Sequence, residues 1–504
     1  MTDVVLIQPL ETLDDAKGPT LASMENLGLA YLKATLLKAG ISVLVINAEA
    51  AGYDASTTAA LAVSECPSIV GVSPVAMTMR STLEICNTVK RKYPRACTVL
   101  GGHHASLCSK EILLSEDAVD YVFLGDAELP FLIFARAVLE GKPIPTLPSV
   151  ATREKYLNSI PLSFYQEEHL DQLPWPIRES LIDGAIPQEA RLITARGCGF
   201  RCSFCTTPTF YASTHFRNVK DVVKEIESLY AHGVHQVWLN DDLFVANSSD
   251  SHRRCRAFCE ELRRSSARVT FRPMVRADSF SRDRGLVDDL VTAGMSHVFV
   301  GTEAGNDEDL RLYRKDVDIA ENIAAIRDLK GRTNLVFQMG FIMFNPWSTI
   351  DSLRANLAFL SDSGEMYRAF PLFRCLSVFP NTYIASRLAQ ANLLGAVTYK
   401  SETPYAYKFA DSAIGLLARL QHDHYRRVSI FDSAIYRHVS LLLGQGQRVQ
   451  ATELSESAAL VNLPFFDRLL RLVEGGRLCR AAYDDVFLTY LDQYRVIADS
   501  VPRH

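Results

Sequence analysis

Two series of short apolar runs, each run separated from the next by an amphipathic stretch, constrain this chain more than any other feature. In the first series, over residues 1–142, "DVVLIQPL", "ISVLVIN", "SIVGVSPV", "CTVLGGHHAS" and "VDYVFLGDAE" alternate with helical patterns such as "ENLGLAYLKATLLKAG" and "MRSTLEICNTVKRKYP". Continuous apolar strands between helices predict a parallel sheet covered on both faces. Five of them fit a doubly wound, Rossmann-like domain, with its ligand beyond the carboxyl ends of the strands.

Residues 143–187 carry Pro143, Pro145, Pro148, Pro161, Pro174 and Pro176 with little periodicity, which reads as a connector. The second series occupies residues 188–385: "ARLITARG", "VHQVWLND", "VTFRPMVRA", "SHVFVGTEAG", "LVFQMGFIMF" and "RAFPLFRCLSVFP". Six strands at this spacing predict a partial (β/α)6 barrel, whose chemistry gathers at the strand C-terminal ends. Residues 386–504 are mostly helical in pattern. Phe465, Phe466, Tyr483, Phe487, Tyr490 and Tyr494 there are expected either to cap the barrel mouth or to form helix-packing core, with core favoured.

Composition narrows the partners. The 504 residues are 48% apolar and 22% charged with a formal net charge of -5, so charge does not point to nucleic acid or an anionic membrane. "MTDVVLIQPLETLDD" lacks a basic segment before a long apolar run, and no stretch approaches roughly eighteen uncharged apolar residues. A cytoplasmic protein with a small-molecule substrate, no nucleic acid and no membrane is the expectation. Eleven cysteines in so long a chain are not a disulfide framework in a reducing compartment, so a cluster of them points to metal.

Such a cluster stands just after the first barrel strand. "RGCGFRCSFC" places Cys198, Cys202 and Cys205 on a loop opened by Gly197. Thiolates suit either iron-sulfur clusters or zinc. A structural zinc needs a fourth ligand, and none is adjacent, although His215 or a distant residue could serve. A 4Fe-4S cluster held by three cysteines instead leaves one iron open to a substrate or cofactor. Cys255 and Cys259, four apart in "SHRRCRAFCEELRR", have no metal-binding partners in view and read as incidental.

The CxxxCxxC spacing, with Phe204 before its last cysteine, resembles the signature of the radical S-adenosylmethionine (SAM) superfamily. That resemblance implies a 4Fe-4S cluster on the three cysteines, SAM chelated to the open iron, and its cleavage to a 5'-deoxyadenosyl radical. It further implies SAM contacts at Phe204, at Asp241 and Asp242 in "VWLNDDLF", at Arg276 ending the third strand, and at Glu303 in "VGTEAG". "GFIMFNP" would lie beside the adenine, its apolar residues also serving as barrel core.

The order of a doubly wound domain, a linker containing "LDQLPWP" and then the cysteine loop narrows the resemblance to the cobalamin-binding (B12-dependent) radical SAM family, and to its class B methylases. "VLGGHHAS" looks like the family's Gly-Gly-x-His segment and "LGDAE" like its acidic turn. Cobalamin contacts are therefore expected at Ser73, Gly101, Gly102, His104, Gly125 and Glu128. The Asp-x-His-x-x-Gly motif that supplies histidine to cobalt in other cobalamin domains is missing, and neither His103 nor His104 is expected to coordinate the metal. The activity implied is methyl transfer from methylcobalamin to a carbon radical of a specialised metabolite, fed by a flavodoxin- or ferredoxin-type electron donor. The alternatives are a non-methylating radical reaction (cyclisation, ring contraction or oxidation) and a non-catalytic iron-sulfur sensor.

Overall fold

A computed structural model describes residues 2–10, 26–178, 189–332, 335–400 and 405–502. Five parallel strands, β1 (Val4–Gln8), β2 (Val43–Asn47), β3 (Ile69–Val72), β4 (Cys97–Leu100) and β5 (Tyr121–Phe123), form the N-terminal sheet in the order β2-β1-β3-β4-β5. The central strands β1 and β3 are buried almost throughout, as strands covered on both faces must be. The order reverses between β1 and β3, which places a crevice over their carboxyl ends.

The connector does more than connect. Val150–Ala151 forms β6, an antiparallel edge strand on β5. Tyr165 then bridges Gly125, whose φ of 85° and whose missing Cβ, 2.2 Å from the Tyr165 carbonyl oxygen, only glycine permits. The end of the predicted connector, residues 179–187, lies outside the described residues.

The barrel consists of two three-stranded parallel sheets. The first has β7 (Glu189–Leu192), β8 (Gln236–Leu239) and β9 (Thr270–Arg272); the second has β10 (Met274–Arg276), β11 (His297–Glu303) and β12 (Val336–Phe341). The predicted third strand is split at Pro273, which has no N–H to donate to a ladder. The predicted sixth strand is not a regular strand. Pro371 sits in a short 3-10 turn, Phe370–Phe373, and only the Phe344 to Cys375 bridge continues the barrel.

Three long helices follow: α1 (Ser412–Gly444), α2 (Arg448–Glu474) and α3 (Arg480–Asp499). All six aromatics singled out in the sequence are buried where these helices meet. Phe465 stacks on Tyr490 at 3.9 Å, Tyr483 donates to Gln421 Oε1, and Tyr494 donates to the Tyr367 carbonyl. They are helix-packing core and do not cap the barrel mouth.

Candidate active site

The cysteine loop is set from both sides. Gly197 adopts a φ of 87°, and a Cβ there would stand 2.4 Å from the Ser213 carbonyl oxygen, so only glycine opens the loop in this way. Ser203 donates its N–H to the Tyr313 carbonyl at 2.8 Å and its hydroxyl to the Leu312 carbonyl at 2.7 Å. Phe204 packs edge-on against Tyr313 with centroids 5.4 Å apart, which fastens the loop to the segment beyond β11.

Cys198, Cys202 and Cys205 are all free and partly exposed on this loop. Burial raises the Cys198 thiol to about 11, and the other two thiols push the same way. Burial also raises Cys202, opposed by the charges of Lys315 and Arg276. Among the described residues no three His, Cys, Asp or Glu side chains converge on a single ion, and His215 turns toward Ser213 Oγ at 3.3 Å. Three soft thiols spread over one short loop suit a cluster in which each binds a different iron, rather than one tetrahedral zinc.

Arg276 is buried against that loop. Its guanidinium lies 3.7 Å from the centre of the Phe200 ring, Nη1 approaches Cys202 Sγ at 3.8 Å, Nε pairs with Asp278 at 2.9 Å, and Nη2 donates to the Lys315 carbonyl. Glu303, with a φ of 65° in the left-handed region, pairs with Lys315 Nζ at 3.2 Å. The missing side chain of Gly301 makes room for that pair, since a Cβ there would stand 2.6 Å from Glu303 Oε1. Strain at a non-glycine residue is kept where its surroundings over-determine it. Arg276 and Glu303 are thus brought to the cysteines as expected, whereas Lys315 was missed; no motif marks it, and only the fold carries it there.

The two aspartates divide. Asp242 accepts from the Gly197 N–H at 2.9 Å and from the Thr207 hydroxyl at 2.8 Å, holding the loop at both ends. Asp241 spends its carboxylate on the protein itself. It is buried, and its oxygens are taken by the Thr194 N–H, the Thr194 hydroxyl and the Ala195 N–H. Burial raises its pKa from 3.8 to about 6, against the pull of those hydrogen bonds. The "GFIMF" residues Phe341, Met343 and Phe344 are barrel core.

A cavity of about 2060 Å3 runs from the N-terminal strand ends to the barrel interior, roughly twice the upper range of about 1,000 Å3 for a single small-molecule pocket. Ser73, Gly101, Gly102, His104, Gly125 and Glu128 all line it, as does Thr206 beside Cys205. Gly102 has a φ of 86°, and a Cβ there would meet Ser73 Oγ at 3.1 Å. Ser73 Oγ accepts from Asn26 Nδ2 at 3.2 Å. A branch beneath the strand ends is apolar, with Leu6, Leu32, Val99, Phe123 and Phe131 around Gly71. The readable signal for that branch was a glycine inside a strand, which marks a close approach.

Two of the residues expected at cobalamin are also engaged within the protein. The Glu128 carboxylate is occupied by Arg196, at 2.6 and 3.3 Å from Nη2 and Nη1, and Arg196 also pairs with Asp126 at 3.0 Å. Tyr211 donates to the same Asp126 at 2.7 Å. Burial alone raises Glu128, but the Arg196 charge overcomes it and holds the acid below the usual carboxylate range. Asp126, by contrast, is raised by burial. His104 turns Nε2 to the Tyr399 carbonyl at 2.8 Å, a contact to the C-terminal segment, while its Nδ1 is buried without a hydrogen-bond partner in the described residues. Burial lowers both His104 and His103, and the latter packs at a tilt against Phe210 with ring centroids 4.4 Å apart.

The residues present fit the two groups. Three free thiols on one loop suit a 4Fe-4S cluster. A glycine turn, an apolar branch and an orphaned histidine nitrogen around one large cavity suit a corrin with its tail. Residues 20–135 match the B12 binding domain family and residues 192–354 the radical SAM superfamily. The chain is 30% identical over 291 residues to the anaerobic magnesium-protoporphyrin IX monomethyl ester cyclase of Rubrivivax gelatinosus, covering 55% of this chain and 51% of that one; it thus spans about half the length of that relative. It is 22% identical over 438 residues to an uncharacterized methyltransferase of Pyrococcus horikoshii, covering 84% of this chain and 92% of that one. The fold matches the cobalamin-dependent S-adenosylmethionine radical enzyme OxsB, solved with aqua-cobalamin bound, at a TM-score of 0.74 and 16% identity over 99% of this chain and 80% of that one. No helix among the described residues is long and apolar enough to cross a membrane. With a B12-binding domain and a radical SAM domain facing one cavity, the chain carries the domain pair of the cobalamin-dependent radical S-adenosylmethionine enzymes and shares the fold of one of them.

Proposed function

We propose that the chain is a C-methyltransferase of this class acting on a specialised metabolite. When bound, the cluster with SAM supplies a 5'-deoxyadenosyl radical and cobalamin supplies a methyl carrier. The observation that carries the reading is the single cavity reaching both Gly101–Gly102 and Thr206, next to Cys205, since methyl transfer to carbon needs carrier and activated substrate in one enclosure. The long match to the Pyrococcus methyltransferase supports it.

The chain's own residues have definite parts in this reading. Cys198, Cys202 and Cys205 hold the cluster, and Arg276 and Lys315 bring positive charge to the Cys202 side of it. Glu303, fixed by Lys315, is offered as a polar contact for SAM; Phe204 and Asp242 shape and brace the loop. Ser73, Gly101 and Gly102 present a flat backbone edge for the corrin. His103, which burial keeps neutral near pH 7, borders the cavity with its ring. An external one-electron donor completes the scheme.

The likeness to the cyclase favours a second reading, a radical reaction without methyl transfer. Product analysis separates the two. With reductant, SAM and a candidate substrate, methyl transfer gives 5'-deoxyadenosine and S-adenosylhomocysteine together; 5'-deoxyadenosine with an unmethylated product overturns it in favour of the second.

A further inference from the structure

The far wall of the cavity is one face of α1. Arg419, His422, Asp423, Arg426, Ser433 and Arg437 line it at helical spacing, opposite Arg374 of the last barrel segment. From Arg419 to Arg437 this stripe runs about 27 Å at 1.5 Å per residue. Exposed arginines on a helix are ordinarily just solvated. These differ in two ways.

They line the mouth of a large cavity, on its exposed side. Ile430, in the middle of the stripe, is 62% exposed, so no other element of the described structure covers this face. The charges of Arg374, Arg419 and Arg437 are also unbalanced. Asp423 is the sole acid on this part of the wall among the described residues, and it stands 3.9 Å from Arg480. Arg374, Arg419 and Arg437 have no carboxylate within ion-pair distance among the described residues, and Arg374 lies over the Phe370 ring at 4.9 Å.

We infer that this wall binds an anionic oxygen group of the substrate, a phosphate or a carboxylate, and that the substrate enters the barrel along α1. Low-dielectric walls of one sign focus their field into the cleft and raise the local concentration of an oppositely charged ligand. The planar guanidinium fork matches both phosphate and carboxylate oxygens. The inference rests on the enzyme reading above and names the substrate class for it.

The test is isothermal titration of the reconstituted full-length protein with inorganic pyrophosphate and, separately, with succinate, on the wild type, the R419Q/R437Q double variant and R427Q. Arg427 lies on the same helix beside Phe487 at 5.1 Å and does not line the cavity. The expected result is saturable binding of one or both anions by wild type and R427Q, weakened tenfold or more in the double variant, since charged hydrogen bonds contribute about 1.5–3 kcal/mol and 1.4 kcal/mol is tenfold. Which anion binds tells phosphate from carboxylate. Equal affinities in all three proteins, or no binding of either anion by the wild type, overturn the inference. Iron and cobalt are measured on the same samples, so a wild type that carries both metals but ignores both anions refutes the anionic wall alone, whereas a failure to take up either metal refutes the enzyme reading.

Discussion

The two ends of the cavity use arginine in opposite ways. At the cofactor end, Arg196 is held by Asp126 and Glu128, with the side chains of Arg196 and Glu128 only 11% and 5% exposed. At the far end, Arg374, Arg419 and Arg437 have no carboxylate to answer them among the described residues. The first arrangement joins a domain to the loop that starts two residues later at Cys198. The second leaves charge uncompensated where a ligand can reach it. A saturated ion pair belongs to the architecture, while an unsaturated one is a receptor.

The sharpest way to break this contrast is to remove Arg196. Arg196→Ala leaves Asp126 and Glu128 buried without their cation, and losing one partner of a buried pair costs about 3–5 kcal/mol. Urea denaturation of wild type and variant measures it; a loss below about 1 kcal/mol would make the clasp a surface-like pair. Pairing Arg196→Ala with Glu128→Gln should restore part of the loss, because the two share one interaction.

Asp241 sharpens the same point with a buried acid answered chiefly by N–H and O–H donors. Its folded pKa is raised from 3.8 to about 6. Below about pH 4 both folded and unfolded states keep the proton. Between about 4 and 6 the unfolded chain releases it while the folded chain retains it, so stability falls as pH rises, by about 1.4 kcal/mol per unit and at most about 3 kcal/mol in all, and is flat above that window. Denaturation across this range should show the decline in wild type and not in Asp241→Asn. A wild-type curve parallel to that of the variant would contradict it.

The smallest effect is expected at the far end. Arg437→Gln should leave stability within about 0.5 kcal/mol of wild type, because no partner is left buried. A loss of 2 kcal/mol or more in the same denaturation assay would show the arginine to be structural and erase the difference between the two ends.

Much of this was legible in the chain because the signals are local. Runs such as "DVVLIQPL" and "SIVGVSPV" mark buried parallel strands, and the spacing of Cys198, Cys202 and Cys205 carries the metal chemistry with it. What escaped depends on contacts distant in sequence. Glu128 and Arg196 are 68 positions apart, and no pattern ties an acidic turn to the residue before a cysteine loop. The run "RAFPLFRCLSVFP" is apolar enough for a strand, yet Pro371 turns it into a 3-10 segment. Asp241 and Asp242 are neighbours with identical side chains, and only the loop they face decides that one is buried under Thr194 while the other braces Gly197. The α1 stripe was hidden for a different reason: a helix that packs on one face and lines a cavity with the other has the same periodicity as any surface helix.

The most direct test of the central claim, that two cofactor domains serve one cavity, is metal analysis after anaerobic reconstitution with iron, sulfide and hydroxocobalamin. Wild type should hold about four irons per chain and cobalt in equimolar amount, and Cys202→Ala should lose the iron and its visible absorbance while keeping the cobalt. Iron retained in full by that variant, or a wild type that takes up iron and no cobalt, would contradict the account.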